Sequence, residues 1–241
     1  MIRRIRGWLK LYLLLAIHDN IITISKSTRH ILKRRYPFLD AKIVYPGICL
    51  PQTAPKRAVN TNLIVTIGRL VRRKGFDVLL KSVARVRDEG IKCNLSIIGD
   101  GPDGTRLRQL TENLGLADNV TFSNNLSDCE RDEQLRRSRF FCLLPRELPN
   151  GDIEGFGIVF LEAAASGLPI LAGKSGGVPE AINNGVNGYL VDPEDIDAVT
   201  AKMKLLLTDD RLCTKMSRES RKWARKFAWD NRDPQQEFCF L

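Results

Sequence analysis

Histidine is almost missing from this chain: two occur in 241 residues, His18 and His30. No position from residue 31 onward can therefore use histidine as a base, triad member or metal ligand, which removes a whole set of hydrolase mechanisms. Cysteine is sparse and scattered, at Cys49, Cys93, Cys129, Cys142, Cys213 and Cys239, with no C-x-x-C pair. That pattern fits reduced thiols, most of them in a core, better than a disulfide frame or a zinc site. Long apolar runs are lacking as well. Residues 11 to 17 are apolar, but a bilayer span needs about 20 such residues. No small-residue cleavage site follows them, so an amphipathic or buried helix is expected there rather than a signal peptide.

Acidic residues are outnumbered, 28 against 38 Lys and Arg, a net +10. Residues 1 to 40 hold nine Lys or Arg against Asp19 and Asp40, so +7 of that excess lies there. The placement argues against a nucleic-acid groove spread over the body. It describes a locally basic surface that faces acidic lipid or an anionic substrate, or else a merely solvated helix face. What remains is ordinary: 43% apolar residues, 27% charged, 18 Gly and 11 Pro are the composition of a soluble globular chain. The length allows one to two domains but not two full Rossmann-like ones.

Along the chain, residues 19 to 25 read as a short β-rich run, and Ser25, Ser27 and Thr28 offer hydroxyl caps to a basic helix ending before Pro37. Another short strand spans residues 42 to 45. Residues 46 to 61 carry three prolines and no periodic pattern and read as a linker. Beyond them β-like runs alternate with helical ones: NLIVTIG, a helix over 76 to 89, NLSIIGDG, a helix over 105 to 114, NVTF, RFFCLL, the helical GIVFLEAAASG, PILAG, VPEAI, GYLVD and two final helices. Apolar strands alternating with helices specify an α/β fold, a doubly wound parallel sheet covered on both faces.

Such a sheet binds ligands beyond the carboxyl ends of its strands. The loop after the first strand holds Gly68, Arg69 and Lys74; the two cations suit a phosphate pair, and a solvated basic turn is the competing reading. The loop Gly99-Asp100-Gly101-Pro102-Asp103-Gly104 matches G-x-G-x-x-G. No acidic residue follows at the end of the next strand, and Asp128 falls later, in a helix cap, so a nicotinamide or flavin site is the rival reading rather than the favoured one. Residues 150 to 188 are richer. Glu154 sits in a Gly-rich loop, Gly155-Phe156-Gly157 permits close backbone approach, and residues 158 to 165 favour a helix containing Glu162. Eight residues of helix rise about 12 Å, a spacing that suits two carboxylates gripping separate hydroxyl-bearing units with an anion held at the helix start between them.

These segments, GRL with RRKG, IIGDGP, NVTF, EGFGIVFLE, EAAASGLPI, GGVPE and GYLVDP in order, resemble the C-terminal, donor-binding half of the retaining glycosyltransferases of family 4, which have the GT-B fold. The resemblance runs from about residue 19 to residue 229. It implies that Arg69 and Lys74 hold the donor diphosphate, that Glu162 holds the ribose, and that Glu154 with the backbone at Phe156, Gly157 and Ile158 holds the transferred sugar and its phosphate. By position, Leu126 and Ser127 would lie near the base. The stretch DIEGFGIVFLEAAASGLPI also looks like the GDP-mannose mannosyltransferases that build glycolipids and polysaccharides, while its helices and glycines are shared by users of UDP and ADP sugars.

On that resemblance the chain transfers a hexosyl group from a nucleoside diphosphate sugar to a saccharide or lipid-linked acceptor, in the cytoplasm or at the inner face of a membrane, without a metal or other cofactor and without a nucleic-acid partner. Glu154, Arg69 and Lys74 would carry the chemistry. Asp195-Ile196-Asp197 mimics a D-x-D metal motif but reads as the acidic first turn of a helix. The expected organisation is a remnant of the preceding domain over residues 1 to 45, a linker over 46 to 61, the nucleotide-sugar domain over 62 to 229 and the start of a crossover segment over 230 to 241. The missing acceptor half would reflect a truncation, a broken gene or a separate chain acting in trans. A binding module without catalysis of its own, and a membrane-surface protein led by its basic N-terminus, are the readings from other classes.

Overall fold

The computed structural model describes residues 21 to 51 and 61 to 231. Two short strands, β1 Ile21–Thr23 and β2 Ala41–Ile43, pair in parallel as a small separate sheet. The basic helix Lys26–Arg35 lies between them in the chain, started by Ser25, whose hydroxyl accepts the Thr28 N–H while Thr28 answers in a capping box. Six further strands follow: β3 Leu63–Ile67, β4 Asn94–Ile98, β5 Val120–Ser123, β6 Phe140–Leu143, β7 Ile170–Gly173 and β8 Gly188–Val191. They form one all-parallel sheet in the order β5-β4-β3-β6-β7-β8.

This α/β architecture follows from the apolar runs. Every residue of β6 and β7 is buried, as a strand covered on both faces requires. Helices flank the sheet. The helix Phe76–Asp88 packs against Ile196–Thr208, and Ile158–Ala165 packs against Asp210–Arg225. The largest fully buried side chains include Phe76, Phe140, Phe141, Phe156 and Phe160, and burying one such ring contributes roughly 1.5–3 kcal/mol.

The expected alternation of elements is observed, with three adjustments. The strand expected over 42 to 45 is seated at Ala41–Ile43. The helix after β5 is capped by Ser127, with Asp128 already in its first turn. The opening of the linker is stitched to the domain: Ile48 is buried, its N–H donates to Phe227 O at 2.9 Å, and its carbonyl accepts from Trp229 N at 3.1 Å. The helix expected near residues 1 to 19, residues 52 to 60 of the linker, Cys239 and most of the C-terminal segment fall outside the described residues. Among the described cysteines, Cys93, Cys142 and Cys213 are buried, Cys49 and Cys129 are exposed, and no disulfide joins any two of them. No helix of the described residues is long and apolar enough to cross a membrane.

The order of the large sheet reverses between β3 and β6: the chain builds outward from β3 to β5, then returns and builds the other way from β6 to β8. A crevice opens at such a reversal, because the loops leaving the two adjacent strands turn in opposite directions.

Candidate functional site

Two loops fill that crevice. After β3 the chain passes Gly68 and makes a single 3₁₀ turn, Arg72–Lys74, before Gly75 starts the helix Phe76–Asp88. Gly75 has φ 70°, and a Cβ on it would lie 2.0 Å from the Leu144 carbonyl oxygen just beyond β6. Only glycine satisfies both the dihedral and that approach. The turn is thereby pressed against the β6 loop, and charges meet across the gap: Lys74 Nζ donates to Glu154 Oε2 at 2.6 Å and Arg73 Nη1 to the same oxygen at 2.7 Å. The Glu154 side chain keeps only 12% of its surface exposed.

The β6 loop is held from its other side as well. Glu154 O accepts the Gly177 N–H at 2.9 Å, and side chains at Gly176 or Gly177 would collide with the carbonyls of Glu154 or Gly155 at 2.1 Å. The buried Phe156 ring anchors the loop against Tyr45 and Phe227, with centroids 5.6 and 5.9 Å away. Gly157, at φ 86°, then opens the helix Ile158–Ala165 without any side-chain cap. A helix start of this kind has N–H groups without partners and a partial positive charge. Gly68, Lys74, Glu154, Phe156, Gly157, Ile158 and Glu162 line one cleft of about 310 Å³ with Ile24, which follows β1. Burial raises the pKa of Glu162 above the ordinary carboxylate value; Arg131 opposes the shift, and Asp132 and Asp128 add to it. Glu162 also borders a second hollow, shared with Arg131, Asp132 and Trp229.

Seven of the sequence-predicted residues are thus brought together. Three are not. Arg69 is exposed on the same loop and does not line the cleft. Leu126 and Ser127 are also absent from its lining, and Ser127 caps its own helix through the Glu130 N–H. The two carboxylates do not share a helix either, since the helix begins only at Ile158. Their separation is therefore set by the glycine loop and not by an eight-residue helical rise.

The G-x-G-x-x-G loop has a different task from the one its pattern suggests. A Cβ on Gly99 would meet Gly68 O at 2.2 Å, and one on Gly101 would meet Leu70 O at 2.4 Å. Leu70 N donates to Asp100 O and Asp103 N to Leu70 O, at 2.8 and 3.0 Å. These glycines bring the loop after β4 against the loop after β3, a structural use that accounts for the pattern without a dinucleotide. The D-x-D motif behaves as its helical reading expects: Asp195 caps the Ala198 N–H, and Asp197 pairs with Arg85. Among the described residues no group of three or more His, Cys, Asp or Glu is placed to hold a metal ion.

Sequence reasoning missed Arg73 and Glu180. The signal for Arg73 was its adjacency to Lys74 before the helix-opening glycine. Glu180, in GGVPE, accepts from Lys26 N at 2.8 Å, Ser27 N at 3.2 Å and Tyr45 Oη at 2.9 Å. It thus ties the 21–45 segment to the domain beneath the cleft. Burial, reinforced by this hydrogen bond, pushes the Tyr45 phenol up to about 12.

Comparison with known proteins bears on the family and the fold. Residues 52–223 match the sequence model of the family described as glycosyl transferases group 1. A GDP-mannose-dependent alpha-(1-6)-phosphatidylinositol monomannoside mannosyltransferase of Mycolicibacterium smegmatis is 37% identical over 163 residues, covering 67% of this chain and 43% of the relative. The protein of the same description from Mycobacterium tuberculosis is 31% identical over 226 residues, covering 88% of this chain and 59% of the relative. The chain thus spans about half the length of the curated relatives it matches. Among solved structures, sucrose-phosphate synthase from Thermosynechococcus elongatus superposes with TM-score 0.79 at 22% identity, over 90% of this chain and 56% of that one. The Anabaena protein HepE in complex with UDP-glucose gives 0.79 at 21% identity, over 95% and 65%.

Proposed function

The chain belongs to the group 1 glycosyl transferases, and from that premise we propose that its cleft binds a nucleoside diphosphate sugar and that the protein transfers the sugar, mannose from GDP-mannose, with retention of configuration. The observation that carries this reading is the convergence of Lys74, the uncapped start of Ile158–Ala165 and the two carboxylates Glu154 and Glu162 on one cleft at the sheet's reversal. The choice of GDP-mannose draws on the names of the mycobacterial relatives.

In this account Lys74, with Arg69 swinging in from the rim, meets the diphosphate, and the backbone N–H groups of Gly157 and Ile158 take a phosphate oxygen. Glu162 holds the ribose hydroxyls, Glu154 the sugar hydroxyls, and Leu126 and Ser127 approach the base. Departure of the diphosphate builds negative charge while the sugar becomes oxocarbenium-like. A fixed ammonium and a fixed helix dipole stabilise that charge without reorganising. The acceptor hydroxyl attacks from the face the diphosphate leaves, and the departing phosphate takes its proton, so neither histidine nor a metal ion is needed. The acceptor is a saccharide or lipid-linked sugar, bound by a Rossmann-like domain preceding this one in a longer chain or acting in trans. The setting is cytoplasmic, and the basic helix Lys26–Arg35 makes peripheral contact with an acidic membrane face.

Calorimetric titration with GDP-mannose, UDP-glucose and ADP-glucose tests the reading. GDP-mannose should bind tightest. Tighter binding of either other sugar nucleotide would overturn the mannosyl assignment, and no binding of any of the three would overturn the donor site itself.

A further inference from the structure

Two cations reach Glu154, and they reach it from different sides. Lys74 lines the cleft; Arg73 does not. The Arg73 guanidinium spans two acidic side chains of the β6 loop, with Nη1 on Glu154 at 2.7 Å and Nε within 3.1 Å of Asp152 Oδ1. Its main chain is tied to the same loop, since Arg73 O accepts the Arg146 N–H at 2.8 Å. Arg146 in turn reaches both carboxylate oxygens of Asp77, in the first turn of the helix that the Arg73 turn precedes. The side chain of Arg73 is 19% exposed. Its Nη1 is committed to Glu154 while Nε, buried without a hydrogen-bond partner, lies only in ion-pair range of Asp152, whereas the ammonium of Lys74 keeps two of its three donors for a ligand in the cleft.

We infer that Arg73 is a positioning residue for the sugar end of the donor site: it holds Glu154 in place when an incoming diphosphate draws Lys74 away. The inference rests on the reading of Glu154 as the sugar-binding carboxylate. Without Arg73, the departure of Lys74 would leave a largely buried carboxylate with no countercharge and a glycine-rich loop with one side-chain tether fewer, and Glu154 would follow Lys74 or turn to water. With Arg73 in place, a charge-assisted bond of fixed planar geometry persists through ligand binding. The two neighbours then divide the work: Lys74 answers the phosphates and Arg73 answers Glu154. A lysine at position 73 could meet Glu154 with its charge but not with the fixed planar geometry of the guanidinium.

The test is calorimetric binding of GDP and of GDP-mannose to the parent chain, Arg73→Gln, Arg73→Lys, Glu154→Gln and the Arg73→Gln/Glu154→Gln double variant, with melting curves on each. If the parent binds UDP-glucose more tightly, UDP and UDP-glucose replace the pair. Arg73→Gln should weaken the sugar nucleotide about tenfold and the free diphosphate by less than about twofold, because only the sugar end depends on Glu154. Arg73→Lys should recover part of that loss. The double variant should bind the sugar nucleotide no more weakly than Glu154→Gln alone. Equal weakening of both ligands by Arg73→Gln would make Arg73 a phosphate contact or a merely structural residue and overturn the inference, as would additive losses in the double variant. If instead Glu154→Gln leaves sugar-nucleotide affinity unchanged, the sugar reading of Glu154 is what has failed, and the inference falls with it.

Discussion

Lys74 Nζ and Glu154 Oε2 lie 2.6 Å apart across the crevice where the sheet order reverses, joining the loop after β3 to the loop after β6. Both side chains are 12% exposed. An ion pair this sheltered contributes little net stability, because desolvation offsets most of its attraction. Its place where both loops border the cleft fits a functional role better than a structural one.

Removing the ammonium should therefore cost binding. Lys74→Ala should weaken GDP and GDP-mannose alike, by about 1.5–3 kcal/mol for one lost charge-assisted contact, or roughly ten- to a hundredfold. The parent's affinity should fall with added salt and the variant's should fall less. Calorimetry at two ionic strengths measures both, and an unchanged affinity for GDP would contradict the phosphate assignment.

Glu162 should oppose stability while serving binding. Its folded pKa is raised by burial above the ordinary 4.5, so the folded chain binds more protons than the unfolded one in the window that begins at that value and extends to the raised one. Stability should fall as pH rises through that window. Glu162→Gln should flatten this slope, raise the melting temperature at neutral pH and weaken GDP and GDP-mannose alike. Melting curves from pH 4 to 8 on parent and variant are decisive; a variant that melts lower at neutral pH would contradict the account.

Glycine at position 99 is a packing requirement. Gly99 has φ 140°, and a Cβ would lie 2.2 Å from Gly68 O, so Gly99→Ala should destabilise the chain by more than the roughly 1–3 kcal/mol of backbone strain alone. Gly90, at φ 79° with nothing within 4 Å of its Cβ position, is the control. Gly90→Ala should cost about 1 kcal/mol, the price of the left-handed conformation. Urea denaturation separates the two, and equal losses would refute the packing role.

Truncating Glu180 should loosen the 21–45 segment. Glu180→Ala leaves the Lys26 and Ser27 N–H groups and the Tyr45 hydroxyl without their acceptor, a loss of about 1–3 kcal/mol. Tyr45→Phe removes one of the three bonds and should cost about 1 kcal/mol. Hydrogen exchange at the start of Lys26–Arg35 should accelerate in Glu180→Ala; unchanged protection there would show that the carboxylate does not hold the helix.

Most of the fold was legible because buried parallel strands must be apolar along their whole length, and FFCL and ILAG are. That Lys74 and Glu162 border the loops beyond the strands was legible from position, since Lys74 lies just before the helix Phe76–Asp88 and Glu162 lies in the helix that the Gly-rich loop opens. Other features depended on geometry that sequence does not carry. Which of Arg73 and Lys74 faces the cleft is decided by a single 3₁₀ turn that points neighbouring side chains in different directions. Glu180 meets Lys26 across 154 residues of chain, and no local pattern announces such a pairing. The G-x-G-x-x-G spacing misleads because close approach of two backbones and close approach of a pyrophosphate demand the same missing side chain.

Diffraction from the chain crystallised with GDP tests the central claim most directly. The account places the diphosphate between Lys74 Nζ and the backbone N–H groups that open Ile158–Ala165, with the ribose hydroxyls on Glu162. A nucleotide seated on Gly99, Gly101 and Gly104, or bound away from the cleft altogether, would contradict it.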